Sequence, residues 1–273
     1  MHESLLIYRK FRYLKLTLVT IILCIFLYLY HSPIGTPNGG TWLGYTLGTL
    51  AALIMFWLAW FGARKRSYKK SKGSLEEWAS AHVYLGLALI VISTLHSGFQ
   101  FGINVHTLLY FLMMVVIISG IIGVYFYLKF PILITKNRNG LTTEMMLNQT
   151  TEIDEDIRGL SMALDDFTVD LMTKAIEETV IGKSFIIKLT GVDPNCPTSL
   201  ARQYLRETFF SENKKTREQL LSKLTRKEEI LNQLRKDLKM RSLLQIWLYI
   251  HVPFTFATLA ALVIHIFSVF YYW

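Results

Sequence analysis

Long apolar stretches alternate with polar connections over the first half of the chain, and one more lies at the C-terminal end. Crossing the hydrocarbon core of a bilayer takes roughly 20 apolar residues, and lipid offers no partner for unpaired backbone groups. The pattern therefore predicts an all-α membrane protein with five transmembrane helices. The predicted spans are approximately Leu14–Tyr30, Trp42–Gly62, Trp78–Phe99, His106–Leu128 and Leu243–Tyr272.

The charged residues support this interpretation through their positions. Only 18% of the residues are charged, against about 25% in an ordinary soluble domain, and the formal net charge is +9. Between Pro131 and Arg241 there are 18 Lys and Arg against 17 Asp and Glu, so most of the excess positive charge lies beside the apolar spans. A nucleic-acid-binding protein would instead cluster its basic residues on a solvated face.

The same basic residues predict the orientation in the membrane. The first 15 residues carry four Lys and Arg, and residues 64–72 carry six, whereas His31–Thr41 and Gln100–Val105 carry none. Because connections rich in Lys and Arg stay in the cytoplasm, we expect a cytoplasmic N-terminus and an outer C-terminus. The expected location is a bacterial inner (cytoplasmic) membrane.

These assignments divide the chain into three parts. Residues 1–130 hold transmembrane helices 1–4, residues 131–242 form a mainly helical cytoplasmic insertion, and residues 243–273 form transmembrane helix 5. The insertion contains no histidine, no glycine-rich phosphate loop and no nucleotide-binding fingerprint, so we do not expect a catalytic domain there.

Within the insertion, local patterns predict four elements. Asn137–Gly140 is typical of a turn, apolar residues from Ile153 to Leu171 (Phe167 included) indicate one helix face, and Phe185–Leu189 resembles a short strand. From Ser211 a charged helix is expected to run into the fifth span as a coiled-coil-like stalk, packed against the 153–171 helix or another copy. Its heptad seam is Leu220, Leu224, Leu231, Leu234 and Leu238, interrupted by Lys227.

Four histidines in the predicted spans repeat one spacing. His82 and His96 are fourteen residues apart on the third span, and His251 and His265 are fourteen apart on the fifth. At roughly 100° and 1.5 Å per residue, fourteen residues end 40° short of four turns and 21 Å along the axis, so both members share a face. Because the two spans run in the same direction, His82 is expected opposite His251 near the cytoplasm, and His96 opposite His265 near the outer face.

Two facing histidine pairs fit haem better than a bare metal ion. Haem iron takes axial ligands on opposite sides of its ring, whereas a bare divalent ion favours three or four converging ligands. No Asp, Glu or Cys is expected beside either pair, and the missing carboxylates also count against a proton-coupled transporter. The chain has no CxxCH motif, so any haem would be bound non-covalently.

The paired helices resemble those of transmembrane dihaem b-type cytochromes, which include respiratory cytochrome b subunits and ferric-reductase-like membrane domains. The residues that carry the resemblance are His82-Val83-Tyr84-Leu85-Gly86 and Leu95-His96-Ser97-Gly98 on the third span, and His251-Val252-Pro253 and Val263-Ile264-His265 on the fifth. The resemblance extends over residues 42–104 and the last two spans, and not over the insertion.

The resemblance implies a four-helix haem-binding core and a role for each histidine. His82 and His251 would be the axial ligands of an inner haem b iron, and His96 and His265 those of an outer one. Electrons would pass between a cytoplasmic-side or quinol donor and a redox partner at the outer face. The chain would be an electron-transfer subunit of a larger membrane oxidoreductase system. It would be compatible with a homo-oligomer, and a quinone would be a candidate for a further cofactor.

Other interpretations remain open at this level. The histidines would serve only helix packing in a non-redox scaffold that recruits a partner through the coiled segment. His106, level with the outer pair, would bind a haem propionate or an outer partner, or would replace His96 as a ligand. Gly86, Gly98, Gly120 and Gly123 would admit a porphyrin or let helices pack closely, and Trp247 is expected among the interfacial aromatics.

Overall fold

The computed structural model describes residues 5–66, 74–208 and 214–271, and within these ranges the chain is all-helical, as predicted. The predicted helix start at Ser211 and the end of the last span at Tyr272 lie outside the described residues. The helices are α1 (Tyr8–Tyr30), α2 (Trp42–Arg66), α3 (Leu75–Ser97), α4 (Val105–Arg138), α5 (Thr143–Ser161), α6 (Asp166–Glu177), α7 (Phe185–Thr190), α8 (Pro197–Glu207) and α9 (Lys214–Tyr271).

Five of the helical segments are long and apolar enough to cross a membrane, and they contain the stretches singled out in the sequence. Their outward side chains fit that environment. Val19 on α1 is 64% exposed, and Phe256 on α9 is 67% exposed. Apolar surface of this extent is unusual on a soluble monomer, so the helices are compatible with an integral membrane protein.

The chain divides into two compact units. The first takes its described residues from Met1–Tyr125 and Trp247–Trp273, and the second is Phe126–Ile246. The core of the first unit contains buried side chains from five helices: Cys24, Leu43, Leu47, Ala51, Met55, Ala88, Leu89, Ile92, Leu95, Leu109, Met113, Ala261 and Leu262.

Both ends of α3 are fixed by local chemistry. Ser74 Oγ accepts a hydrogen bond from the Glu77 backbone N–H, while the Glu77 carboxylate accepts one from the Tyr13 hydroxyl at 2.7 Å. Gly98 ends the helix with a φ of 61°, and a Cβ there would lie 2.0 Å from the Pro37 carbonyl oxygen. Gly98 is therefore required by the turn that follows α3.

The fourth apolar helix extends beyond its predicted end at Leu128. Helix α4 continues to Arg138 with Pro131 inside it, and the chain turns at Asn139 and Gly140, whose φ angles are 48° and 85°. The predicted turn is thus present, but residues 131–138 are helical because the residues that readily adopt positive φ come only after them.

In the second unit, the predicted single helix over Ile153–Leu171 is wrong. Helix α5 ends at Ser161, and α6 starts anew because the Asp165 carboxylate accepts hydrogen bonds from the backbone N–H and hydroxyl of Thr168. These bonds hold the pKa of Asp165 below its ordinary value. Phe167, expected on the buried face, is 60% exposed because the new helix starts in a different rotational register.

The predicted strand at Phe185–Leu189 is also wrong, since Phe185–Thr190 is the short helix α7. Its N-terminus is capped by Ser184 Oγ, which accepts a hydrogen bond from the Ile187 N–H at 3.2 Å. Gly191, with a φ of 74°, ends it. The two capping residues outweigh the preference of the β-branched isoleucines for a strand.

The seam of the charged helix packs within the chain. Its residues Leu220, Leu224 and Leu234 join one buried cluster with Ile153 and Ile157 of α5, which agrees with the first of the two predicted partners. Lys227 does not interrupt this seam. Its side chain is buried, and Nζ donates to Asp154 Oδ1 at 2.5 Å and to the Ala175 carbonyl oxygen at 2.7 Å.

Candidate functional site

The first unit brings three histidines together at one end of α3. His96 comes from the last turn of α3, His106 from the first turn of α4, and His265 from α9. The ring centroids of His96 and His265 are 6.2 Å apart, and His106 lies 5.2 Å from the first and 4.9 Å from the second. Their nearest ring nitrogens all lie within 4.8 Å of one another.

The His96 ring is held in one orientation by α2. Its Nδ1 lies 2.7 Å from the Gly44 carbonyl oxygen, which only accepts hydrogen bonds, so Nδ1 carries the proton and Nε2 keeps its lone pair. Gly48, one turn further along, lies against the same ring, and a Cβ on Gly48 would be 2.6 Å from His96 Cε1. Gly48 therefore lets α2 approach the imidazole closely.

A cavity of about 1310 Å³ opens beside the three histidines. Cofactor and ligand sites usually measure about 300–1,000 Å³, so the space is ample for a large organic cofactor. The wall supplied by α2 includes the small residues Gly48, Ala51 and Ala52 besides the larger Tyr45 and Met55. Met113 and Leu262 add apolar surface. Polar groups, including Ser93, also reach the cavity.

His82 and His251 form the other pair. His82 and His251 lie within range of an electrostatic interaction in the first unit. His82 is stacked obliquely near Phe61, with centroids 5.0 Å apart, and its buried Nδ1 has no hydrogen-bond partner. A buried polar atom without a partner is costly, and it marks this ring as a candidate for binding something outside the protein.

The His251 ring is oriented by α4. The Ser119 hydroxyl donates its proton to the Val116 carbonyl oxygen, so it accepts a hydrogen bond from His251 Nδ1 at 2.7 Å. Nε2 of His251 is thereby left unprotonated. Trp247 packs nearly parallel to the imidazole, with centroids 5.2 Å apart, and its Nε1 donates to the Ser119 carbonyl oxygen.

The glycines expected near a porphyrin differ in what surrounds them. A Cβ at Gly120 would lie 3.6 Å from the His251 ring, whereas one at Gly123 would lie 2.1 Å from the Trp247 indole. Gly123 therefore serves helix packing, and Trp247, predicted as an interfacial residue, packs inside the unit beside His251. A Cβ at Gly86 would have only Leu58 near it, at 4.0 Å, so close helix packing does not require a glycine at this position.

His96 thus lies beside its expected counterpart His265, and His106 joins this outer pair. His106 has no partner at a spacing of fourteen, which is why the sequence pattern gives it no defined role. The available signal is the short connection between α3 and α4, since a chain that reverses within about seven residues brings the start of one helix beside the end of the other.

No family model, curated protein or solved structure matches this chain. The functional argument therefore depends on the geometry of the site and on the sequence pattern alone.

Proposed function

We propose that the protein transfers electrons across a membrane by means of two non-covalent b haems. His82 and His251 would hold the inner haem iron, and His96 and His265 the outer one. The observation that carries the proposal is the contact between His96 and His265, which belong to the two fourteen-residue repeats. Bound haem iron would supply one-electron oxidation and reduction.

The distance within the outer pair suits axial ligation. With a metal–nitrogen bond of about 2 Å, two imidazoles on opposite sides of one metal ion have ring centroids about 6 Å apart. The 6.2 Å between the His96 and His265 centroids agrees with this value. The 5.2 Å and 4.9 Å distances to His106 are too short for a pair of opposite ligands, so they favour His96 over His106 as the axial residue.

The hydrogen bonds to the rings provide a second argument. Histidine ligands usually donate their other ring N–H to a carbonyl or similar acceptor, which fixes the tautomer and the ring orientation. His96 donates to Gly44 and His251 to Ser119 in this manner. Each histidine pair therefore contains one imidazole that is already oriented with its Nε2 available. The apolar residues in the cavity wall would limit the access of water to a bound haem.

The proposal also includes the orientation of the chain in the membrane and its redox partners. With the N-terminus in the cytoplasm and the C-terminus outside, the two sites would link a cytoplasmic-side or quinol donor with an acceptor at the outer face. The protein would act as one subunit of a membrane oxidoreductase system in a bacterial inner membrane. Residues 131–242 lie on the cytoplasmic side in this arrangement, where they would contact a partner.

A reduced-minus-oxidised visible spectrum of the full chain in detergent, with haem quantified per chain, tests the proposal. We expect a b-type spectrum and two haems per chain. A folded preparation without haem, produced in cells supplied with haem precursor, would contradict it. That result would favour a non-redox scaffold that recruits a partner through residues 131–242.

Replacing Gly48 by Ala is expected to weaken the outer site selectively. The added Cβ would lie 2.6 Å from His96 Cε1, so the imidazole must leave its position against the Gly44 carbonyl. We expect the haem content to fall from two toward one per chain. Gly62→Ala, on the same helix, is the matched control, since its Cβ would meet nothing within 4 Å, and it should retain both haems. Equal haem contents in the two variants would argue against the outer site.

A further inference from the structure

We propose that His96, His106 and His265 also form a binding site for a divalent transition-metal ion, which competes with the outer haem. Metal binding by the three histidines does not depend on the proposed function. The competition does rest on it, because the haem would need two of the same imidazoles. The ion would be of the zinc or copper class, which imidazole nitrogens bind well.

The geometry is close to that of a three-histidine centre. In a tetrahedral zinc site with metal–nitrogen bonds of about 2 Å, the ligand nitrogens are about 3.3 Å apart. The three ring nitrogens here already lie within 4.8 Å of one another, so modest rotations of the side chains would complete the site. The hydrogen bond from His96 Nδ1 to the Gly44 carbonyl oxygen leaves Nε2 as the nitrogen available to the ion.

The chemistry of the cluster selects the class of ion. No carboxylate or thiolate joins the three imidazoles among the residues that the structure describes. Calcium and magnesium prefer oxygen ligands, whereas zinc and copper accept neutral imidazoles. Three histidines leave a fourth position for water or a small ligand, and the cavity of about 1310 Å³ lies beside it.

The position of the His106 side chain is expected to distinguish binding of a bare metal ion from binding of haem. Its ring lies within 5.2 Å of both other rings, which places it beside the gap that a porphyrin would fill between His96 and His265. A bare ion would use His106 in its present position, whereas haem binding would require the His106 side chain to turn away. A variant at this position is expected to lose the ion and keep the haem.

Titration with Co²⁺ tests the proposal, because tetrahedral Co²⁺ absorbs visible light and reports its own coordination. The full chain, free of any polyhistidine tag, would be prepared from haem-limited cells and titrated in detergent with Co²⁺, and with Mg²⁺ as the comparison ion. We expect one Co²⁺ per chain with a tetrahedral spectrum. His106→Gln should weaken the affinity by about tenfold or more, as losing even a supporting residue costs 10–100-fold.

His31→Gln is the matched control. His31 contacts Trp42 and is not part of the cluster, so its replacement should leave Co²⁺ affinity unchanged. Equal Co²⁺ binding by the native chain and His106→Gln would overturn the metal site. Loss of the outer haem in His106→Gln prepared with haem would overturn the expected difference between the two occupants, because His106 would then belong to the haem site as well.

Measurements on the same samples distinguish the metal-site proposal from the electron-transfer proposal. Haem-loaded protein should bind less Co²⁺ than the haem-limited sample, and undiminished binding to protein with two haems would overturn the competition. A chain that never takes up haem but loses Co²⁺ binding in His106→Gln would contradict the electron-transfer proposal and support the metal site.

Discussion

Replacing His265 by Gln is expected to halve the haem content, from two haems per chain to one. The variant would leave the outer iron with His96 alone on one side, since glutamine does not provide an imidazole nitrogen. The inner pair should stay loaded, because the two sites are separated by fourteen residues along α3, which is roughly 21 Å. Haem per chain and the reduced-minus-oxidised spectrum measure the effect.

His251→Gln provides the complementary variant. It should remove the inner haem and leave the outer one, and the double variant should contain none. His31→Gln, which changes a histidine outside both pairs, should retain two haems and controls for a general effect of histidine loss. Retention of both haems in His265→Gln would refute bis-histidine ligation at the outer site.

Replacing Lys227 by Met is expected to destabilise the second unit by about 3 kcal/mol, the lower end of the range for breaking a buried ion pair. Lys227 is 1% exposed and its partner Asp154 is 20% exposed, so the variant would leave a largely buried carboxylate without its cation. The carbonyl of Ala175 would also lose the closer of two side-chain donors and keep the Thr198 hydroxyl. Unfolding of the full chain in urea, followed by helical circular dichroism, measures the change.

Two comparisons isolate the buried charge. In a double variant with Asp154→Asn, most of the stability should return, because replacing both partners removes the uncompensated charge. Lys223→Met changes the neighbouring pair with Asp156, whose side chains are 41% and 50% exposed. It should cost less than about 1 kcal/mol. A loss as large in Lys223→Met as in Lys227→Met would contradict the explanation from burial.

The loss in Lys227→Met should depend on pH. Burial raises the pKa of Asp154 above its ordinary value even with Lys227 present, and removing the lysine raises it further. A carboxyl whose pKa is raised in the folded state costs stability above its unfolded pKa and recovers it as it becomes protonated. The variant should therefore gain stability relative to the native chain as the pH falls through the folded pKa.

Local sequence determined the helical elements and the histidine repeat. The apolar stretches predict the long apolar helices because burial in lipid or in a core requires continuous hydrophobic residues, and the turn predicted to end at Gly140 follows α4 in the structure. The spacing of fourteen places two histidines on one face of α3 by helix geometry alone. These features depend on neighbouring residues, which the sequence displays directly.

Only the tertiary structure decided the details that depend on distant partners. In the sequence, Lys227 interrupts an apolar heptad seam. The fold places Asp154 and the Ala175 carbonyl beside it, and both accept hydrogen bonds from its Nζ. His106 has no periodic counterpart, and it joins His96 and His265 because the chain reverses before α4. The roles of Lys227 and His106 depend on residues that are distant in sequence. Those residues come together only because whole helices pack against one another, and a local sequence pattern does not predict that packing.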